Sequence, residues 1–145
     1  MNHNILKGQI CELMVLQKLL ELGYTVFKDV DAMSRIDFLV RCEGDIFCKI
    51  QVKKSYVDHV GSKCLRLTSW RSNGKLRTYT ADDVDFFIAV HNRSFYIIPY
   101  SATIGRRRTR YLSIYFKNKW DALPRPYKRL KPEDNKNQME FTLAA

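Results

Sequence analysis

The chain has 145 residues, 46% of them hydrophobic and 28% charged, enough for one domain with a real core and ordinary for a soluble globular protein. No run approaches the ~20 consecutive apolar residues of a membrane helix. The opening MNHNILKGQ has no secretory pattern, so composition predicts a soluble, cytoplasmic protein. The net charge of +10 is unevenly spread: residues 1–60 hold 8 Lys/Arg and 8 Asp/Glu, whereas residues 61–145 hold 17 and 7.

In chain order, residues 5–22 predict a helix. Leu6, Ile10, Leu13, Met14, Leu16 and Leu20 recur near helical spacing, and Gly23 supplies the stop. A short strand at 24–27 precedes the polar loop KDVDAMS. Residues 35–41 alternate Ile36, Phe38 and Val40 against Asp37, Leu39 and Arg41, Glu43-Gly44-Asp45 reads as a turn, and residues 46–53 alternate again. A strand at 63–67 leads into the polar segment SWRSNGKLRTYTADD. The run DFFIAV (85–90) is nearly continuous in apolar residues, the mark of a strand covered on both faces. A turn at His91-Asn92-Arg93 joins it to a strand at 95–98 that stops at Pro99. GRRRTR (105–110) precedes a predicted strand at 111–116, and from Lys117 the chain reads as a basic, proline-punctuated arm. The expected organisation is one domain over 1–145, with a core of residues 5–116 and an arm over 117–145.

A basic surface attracts phosphate backbones, although a solubilising surface or an acidic lipid partner gives the same count. The basic segments are interleaved with Ser, Thr, Tyr and Asn and form no amphipathic Lys-rich helix, which favours nucleic acid. Cys11, Cys42, Cys48 and Cys64 lack the paired spacing of a zinc site and read as reduced thiols in a core. His3, His59 and His91 stand apart and receive no role.

The hairpin RIDFLVRCEGDIFCKIQVKK (35–54) carries polar residues where a core strand would carry valine. Alternate residues of a strand share a face, so Lys49, Gln51 and Lys53 line one side and Ile46, Cys48, Ile50 and Val52 the other. With Gly44 at the tip, opposed residue numbers sum to 88 and Asp37 faces Gln51. A shift of one residue would scatter the group. A carboxylate beside a second oxygen donor suits Mg²⁺, with the Val52 carbonyl as a further ligand. Lys53 beside that ion would orient an attacking water and stabilise charge on a phosphate. Glu12, on the rim of the helix's apolar face next to the space left by Gly8, would reach the metal through water or bind a second ion. Periodicity alone leaves open a surface ion pair between Asp37 and Lys53, and a solvated Glu12.

The order Gly8/Glu12 on a helix, Asp37 on a strand and Gln51-Val52-Lys53 on the next resembles the PD-(D/E)XK nuclease superfamily. Ile36 stands where a proline usually precedes the aspartate, and Gln51 replaces the second acid. The blocks YTADDVDFFIAV (79–90) and FYIIPY (95–100) resemble a branch related to a cyanobacterial group I intron homing endonuclease. The resemblance spans about residues 5–115 and implies an α/β fold: a restriction-endonuclease-like core, with a central mixed β-sheet and flanking helices.

It further implies a Mg²⁺-dependent endonuclease acting on double-stranded DNA. Glu12, Asp37, Gln51 and Lys53 are its expected catalytic residues, with Asp37, Gln51 and the Val52 carbonyl as metal ligands and Glu12 assisting. Arg66, Arg71, Asn73, Lys75, Arg77, Arg106, Arg107, Arg108 and Arg110 are the expected DNA contacts. One site cuts one strand, so a homo-oligomer, dimer or tetramer, is expected with the duplex between its sites. A Holliday-junction resolvase, or a DNA-binding module silenced by Gln51, shares these features.

Overall fold

The computed structural model describes residues 3–30, 36–70, 74–105 and 109–128. The first helix, α1, spans His3–Glu21. Its end is a Schellman cap: Tyr24 N–H donates to the Leu19 carbonyl and Gly23 N–H to that of Leu20, each at 3.0 Å. Gly23 sits at φ 89°, where a side chain would be strained. The face that α1 turns to the sheet is the stripe Cys11, Val15 and Leu19, flanked by Met14 and Leu16. Leu6, Ile10, Leu13 and Leu20, which carry the helical periodicity in the sequence, lie exposed on the outside.

Five strands make the central sheet, in the order β1 (Thr25–Lys28), β2 (Phe38–Cys42), β3 (Ile46–Lys54), β8 (Phe86–His91) and β9 (Ser94–Pro99). The β3–β8 pair is parallel and its neighbours are antiparallel, so the sheet is mixed. The turn between β2 and β3 places Gly44 at φ 74° and Asp45 at φ 59°. Arg41 Nε donates to Asp45 at 2.8 Å across it. Pairing then runs Cys42↔Ile46, Val40↔Cys48 and Phe38↔Ile50, the register that sums to 88.

The two sheet faces are covered differently. On one, Phe38, Val40, Cys48, Ile50, Val52, Ile88 and Val90 pack against α1. On the other, Phe87 and Ala89 pack with Leu65, Leu67, Tyr79, Val84 and Ile98. The apolar run 85–90 is thus a strand buried on both sides. Among the described residues, α1 is the single α-helix, and the far face is covered by short strands instead. These are β4 (Tyr56–Val57), β5 (Lys63–Arg66) and β10 (Thr109–Tyr111) in one sheet, and β6 (Thr68–Trp70) with β7 (Leu76–Thr78) in another.

Three segments differ from expectation. The polar stretch 69–83 begins as the β6–β7 pair, because its apolar and β-branched residues pair across the turn. Residues 111–116 are not one strand: β10 ends at Tyr111, and Ile114–Phe116 form a 3-10 turn capped by Ser113, whose Oγ accepts from Tyr115 N–H at 3.2 Å. Residues 117–128 follow the core rather than leaving it. Leu123 is buried against the α1 face, Trp120 packs on Phe95 with ring centroids 5.2 Å apart, and Tyr24 OH donates to the Pro124 carbonyl at 2.6 Å. The rest of the expected arm lies outside the described residues. All four cysteines are buried free thiols.

Candidate active site

Where β2 begins, its ladder with β3 stops at Phe38↔Ile50, one step short of Asp37 and Gln51. Asp37 caps that end of the ladder. Its N–H donates to the Ile50 carbonyl at 3.0 Å, and its carboxylate accepts from Val52 N–H at 2.7 Å. The backbone of β3 is therefore a short contact of the carboxylate. Burial pushes the Asp37 pKa up to about 6. The Val52 N–H opposes that rise, Glu12 adds to it, and Lys53 and Lys28 pull against it.

Gln51 and Lys53 project from β3 on the face opposite α1, since Ile50 and Val52 between them belong to the α1 cluster. Gln51 Oε1 is buried and, among the described residues, has no hydrogen-bond partner. Such an atom costs on the order of 1–3 kcal/mol, and a native fold keeps one where something else completes it. Lys53 Nζ donates to Tyr79 OH at 2.8 Å.

Lys49, on the same face, does other work. Its Nζ donates to the Asp82 carbonyl at 2.6 Å, while its N–H donates to Asp85 Oδ2 at 2.7 Å. Lys49 thus fastens the 79–85 loop to β3, a role that alternation in the sequence does not reveal.

Glu12 is half-buried on α1, 3.9 Å from Lys28 Nζ. Together they line a cleft of about 190 Å³ with Gln9, Leu13, Leu16 and Phe38. Glu12 thus lies on the α1 side of the sheet, near enough for its charge to act on Asp37, while Gln51 and Lys53 lie on the other side. The position above Gly8 is open, with no atom within 4 Å of where a Cβ would sit.

The donors fit a hard divalent cation. Asp37 offers a carboxylate oxygen and Gln51 its amide Oε1 just past the last β2–β3 pair, and Val52 adds a main-chain carbonyl where β2 no longer pairs. Among the described residues, no three His, Cys, Asp or Glu side chains converge as a ready-made cage. The set is correspondingly weak in charge and suits an ion that keeps most of its water.

The expected DNA contacts are scattered. Arg66 is exposed at the end of β5, with its guanidinium 5.3 Å from the Tyr56 ring. Lys75 is exposed beside β7, and Arg77 on β7 lies 3.8 Å from Asp83. Arg110 is partly buried on β10, 5.5 Å from the Phe116 ring. Arg71, Asn73, Arg106, Arg107 and Arg108 lie outside the described residues. A larger cavity of about 740 Å³ lies between β6–β7 and residues 100–105, with Tyr79 and Phe87 in its lining. Among the described residues that lining holds no carboxylate and no ammonium.

Sequence reasoning missed Tyr79 and Asp85 as supports of the site. Their signal is visible in YTADDVDFFIAV, but only the chain path shows that the block returns to β3.

No curated protein matches this chain. In fold it is similar to the bacterial homing endonuclease I-Ssp6803I. The two structures match with a TM-score of 0.67 and 22% sequence identity over 99% of this chain and 95% of that one. The family model for PD-(D/E)XK endonucleases matches residues 2–120. That span takes in α1, the first hairpin and the β8–β9 pair, and the chain belongs to the PD-(D/E)XK endonuclease family.

Proposed function

We propose that this endonuclease is Mg²⁺-dependent and cuts double-stranded DNA at a specific site, with intron homing as its setting. The observation that carries the reading is Gln51 Oε1, buried and without a partner among the described residues, one step past the last β2–β3 pair, as is Asp37, whose pKa is raised to about 6. Asp37, Gln51 and the Val52 carbonyl would hold the cation, with Glu12 assisting from α1. When bound, it supplies positive charge for the phosphate and an acidified water. Lys53, whose ammonium donates to Tyr79 OH, would orient the attacking water and stabilise charge on the phosphate oxygens.

The basic second half, with Arg66, Lys75 and Arg77, is suited to the DNA backbone, and phosphate contacts of this kind position without reading sequence. A two-stranded ribbon such as β6–β7 is of a size to enter the major groove, where Arg and Lys address guanine. The fold's likeness to a homing endonuclease supports specific duplex cleavage. Cutting both strands calls for two sites, and a self-associating chain provides them.

The test is nicking and cleavage of duplex DNA with and without Mg²⁺ by wild type, Asp37→Ala and Lys53→Ala. Wild type should cut only with the metal, and each variant should lose about 100-fold or more. Equal cutting by the variants would sink the assignment, and binding without cutting would leave a DNA-binding module. Preferential cleavage of a four-way junction over linear duplex would identify a resolvase instead.

A further inference from the structure

We propose that Tyr79 is a positioning residue for Lys53, fixing the direction of its ammonium toward the scissile phosphate. The inference rests on the reading of Lys53 as the catalytic ammonium. A lysine on a strand has four rotatable bonds, and holding its tip in one place costs rotamer freedom. The Tyr79 hydroxyl accepts from that tip at 2.8 Å, and the ring centroid lies 4.5 Å from Nζ.

Tyr79 is fit to act as an anchor because it is itself held. It is 7% exposed, and its ring meets Phe87 edge-on, at 5.3 Å between centroids and 86° between planes. Its N–H donates to the Leu67 carbonyl. The next residue, Thr80, is locked by Asp83, whose Oδ2 accepts from the Thr80 N–H at 2.8 Å and from its hydroxyl at 3.1 Å.

The loop then returns to the strand it serves. Lys49 Nζ binds the Asp82 carbonyl, and Asp85 exchanges two hydrogen bonds with the backbone of Lys49, at 2.7 and 2.9 Å. Lys49 and Lys53 stand four residues apart on one face of β3. One fastens the loop, the loop carries Tyr79, and Tyr79 fixes the other.

Tyr79→Phe removes the acceptor and keeps the ring, so packing on Phe87 persists. Under single-turnover conditions with saturating DNA and Mg²⁺, its cleavage rate should fall about 10- to 100-fold. DNA affinity measured in Ca²⁺ and the melting temperature should stay at wild-type values. A purely structural role predicts the reverse, a lower melting temperature with the rate per folded molecule preserved. A Tyr79→Phe rate within about twofold of wild type, beside an inactive Lys53→Ala, overturns the positioning role alone. Wild-type cutting by Lys53→Ala overturns the catalytic reading and this inference with it.

Discussion

Asp37 shows what a buried carboxylate costs the fold that carries it. Its folded pKa is raised from 3.8 to about 6, chiefly by burial, so between those values the folded chain holds a proton that the unfolded chain has released. Its stabilising contribution is therefore full below about pH 4 and is lost as pH rises through about 6. Above that, the ionised group disfavours the metal-free fold by about 2–3 kcal/mol. Asp37→Asn should keep an acceptor for Val52 N–H, abolish cleavage and raise metal-free stability by about that amount at pH 8. Urea melts in EDTA should show the gap closing toward pH 4, and a gap that stays constant with pH would disprove ionisation of the buried carboxyl as its cause.

Gln51 invites the opposite change. Gln51→Glu places a second charge beside Asp37, so half-saturating Mg²⁺ should drop by about tenfold or more. The metal-free variant should meanwhile lose stability at pH 8, because two neighbouring carboxylates repel. A Mg²⁺ titration of the cleavage rate and a melt in EDTA read the two effects separately.

Among the elements, the first hairpin was legible because its chemistry and its register agree. The turn residues put Gly44 and Asp45 at positive φ, and the apolar alternation then allows one pairing only. The strand 85–90 was legible for a related reason, since a run without polar positions needs cover on both faces. The helix was legible in extent but not in orientation. Its exposed apolar residues outnumber the buried stripe Cys11, Val15 and Leu19, so periodicity alone points to the wrong face. Residues 117–128 look like an arm because charge and proline dominate the count, yet the few apolar side chains among them reach the core. Leu123, 4% exposed, should cost about 2–4 kcal/mol on replacement by alanine, measured as a shift in urea midpoint. A change below about 0.5 kcal/mol would return this segment to the status of an arm.

At the scale of the molecule, α1 leaves Leu6, Ile10, Leu13 and Leu20 as an apolar stripe on the outside, with Leu13 at 63% exposure. Spacing of three and four residues keeps them on one side of the helix. A large exposed stripe of this kind marks an interaction surface and suits the self-association proposed for cutting two strands. Leu20→Glu, away from the Glu12 cleft, should lower the sedimentation-derived molecular mass and turn double-strand cleavage into slow nicking, while a single site's chemistry persists. An unchanged mass would move the interface elsewhere, the Phe27–Phe47 end of the first hairpin being the next exposed apolar surface. Among the described residues no helix is long and apolar enough to cross a membrane.

The sequence by itself determined the hairpin register and the buried strand beyond, because each follows from alternation and turn chemistry within a few residues. Only the tertiary structure decided what surrounds them. The parallel β3–β8 pairing brings Tyr79 and Asp85 back to β3 across about thirty intervening residues, and no local pattern encodes such a return. The orphaned oxygen of Gln51 is likewise a property of burial, which is fixed by what the rest of the chain lays over it.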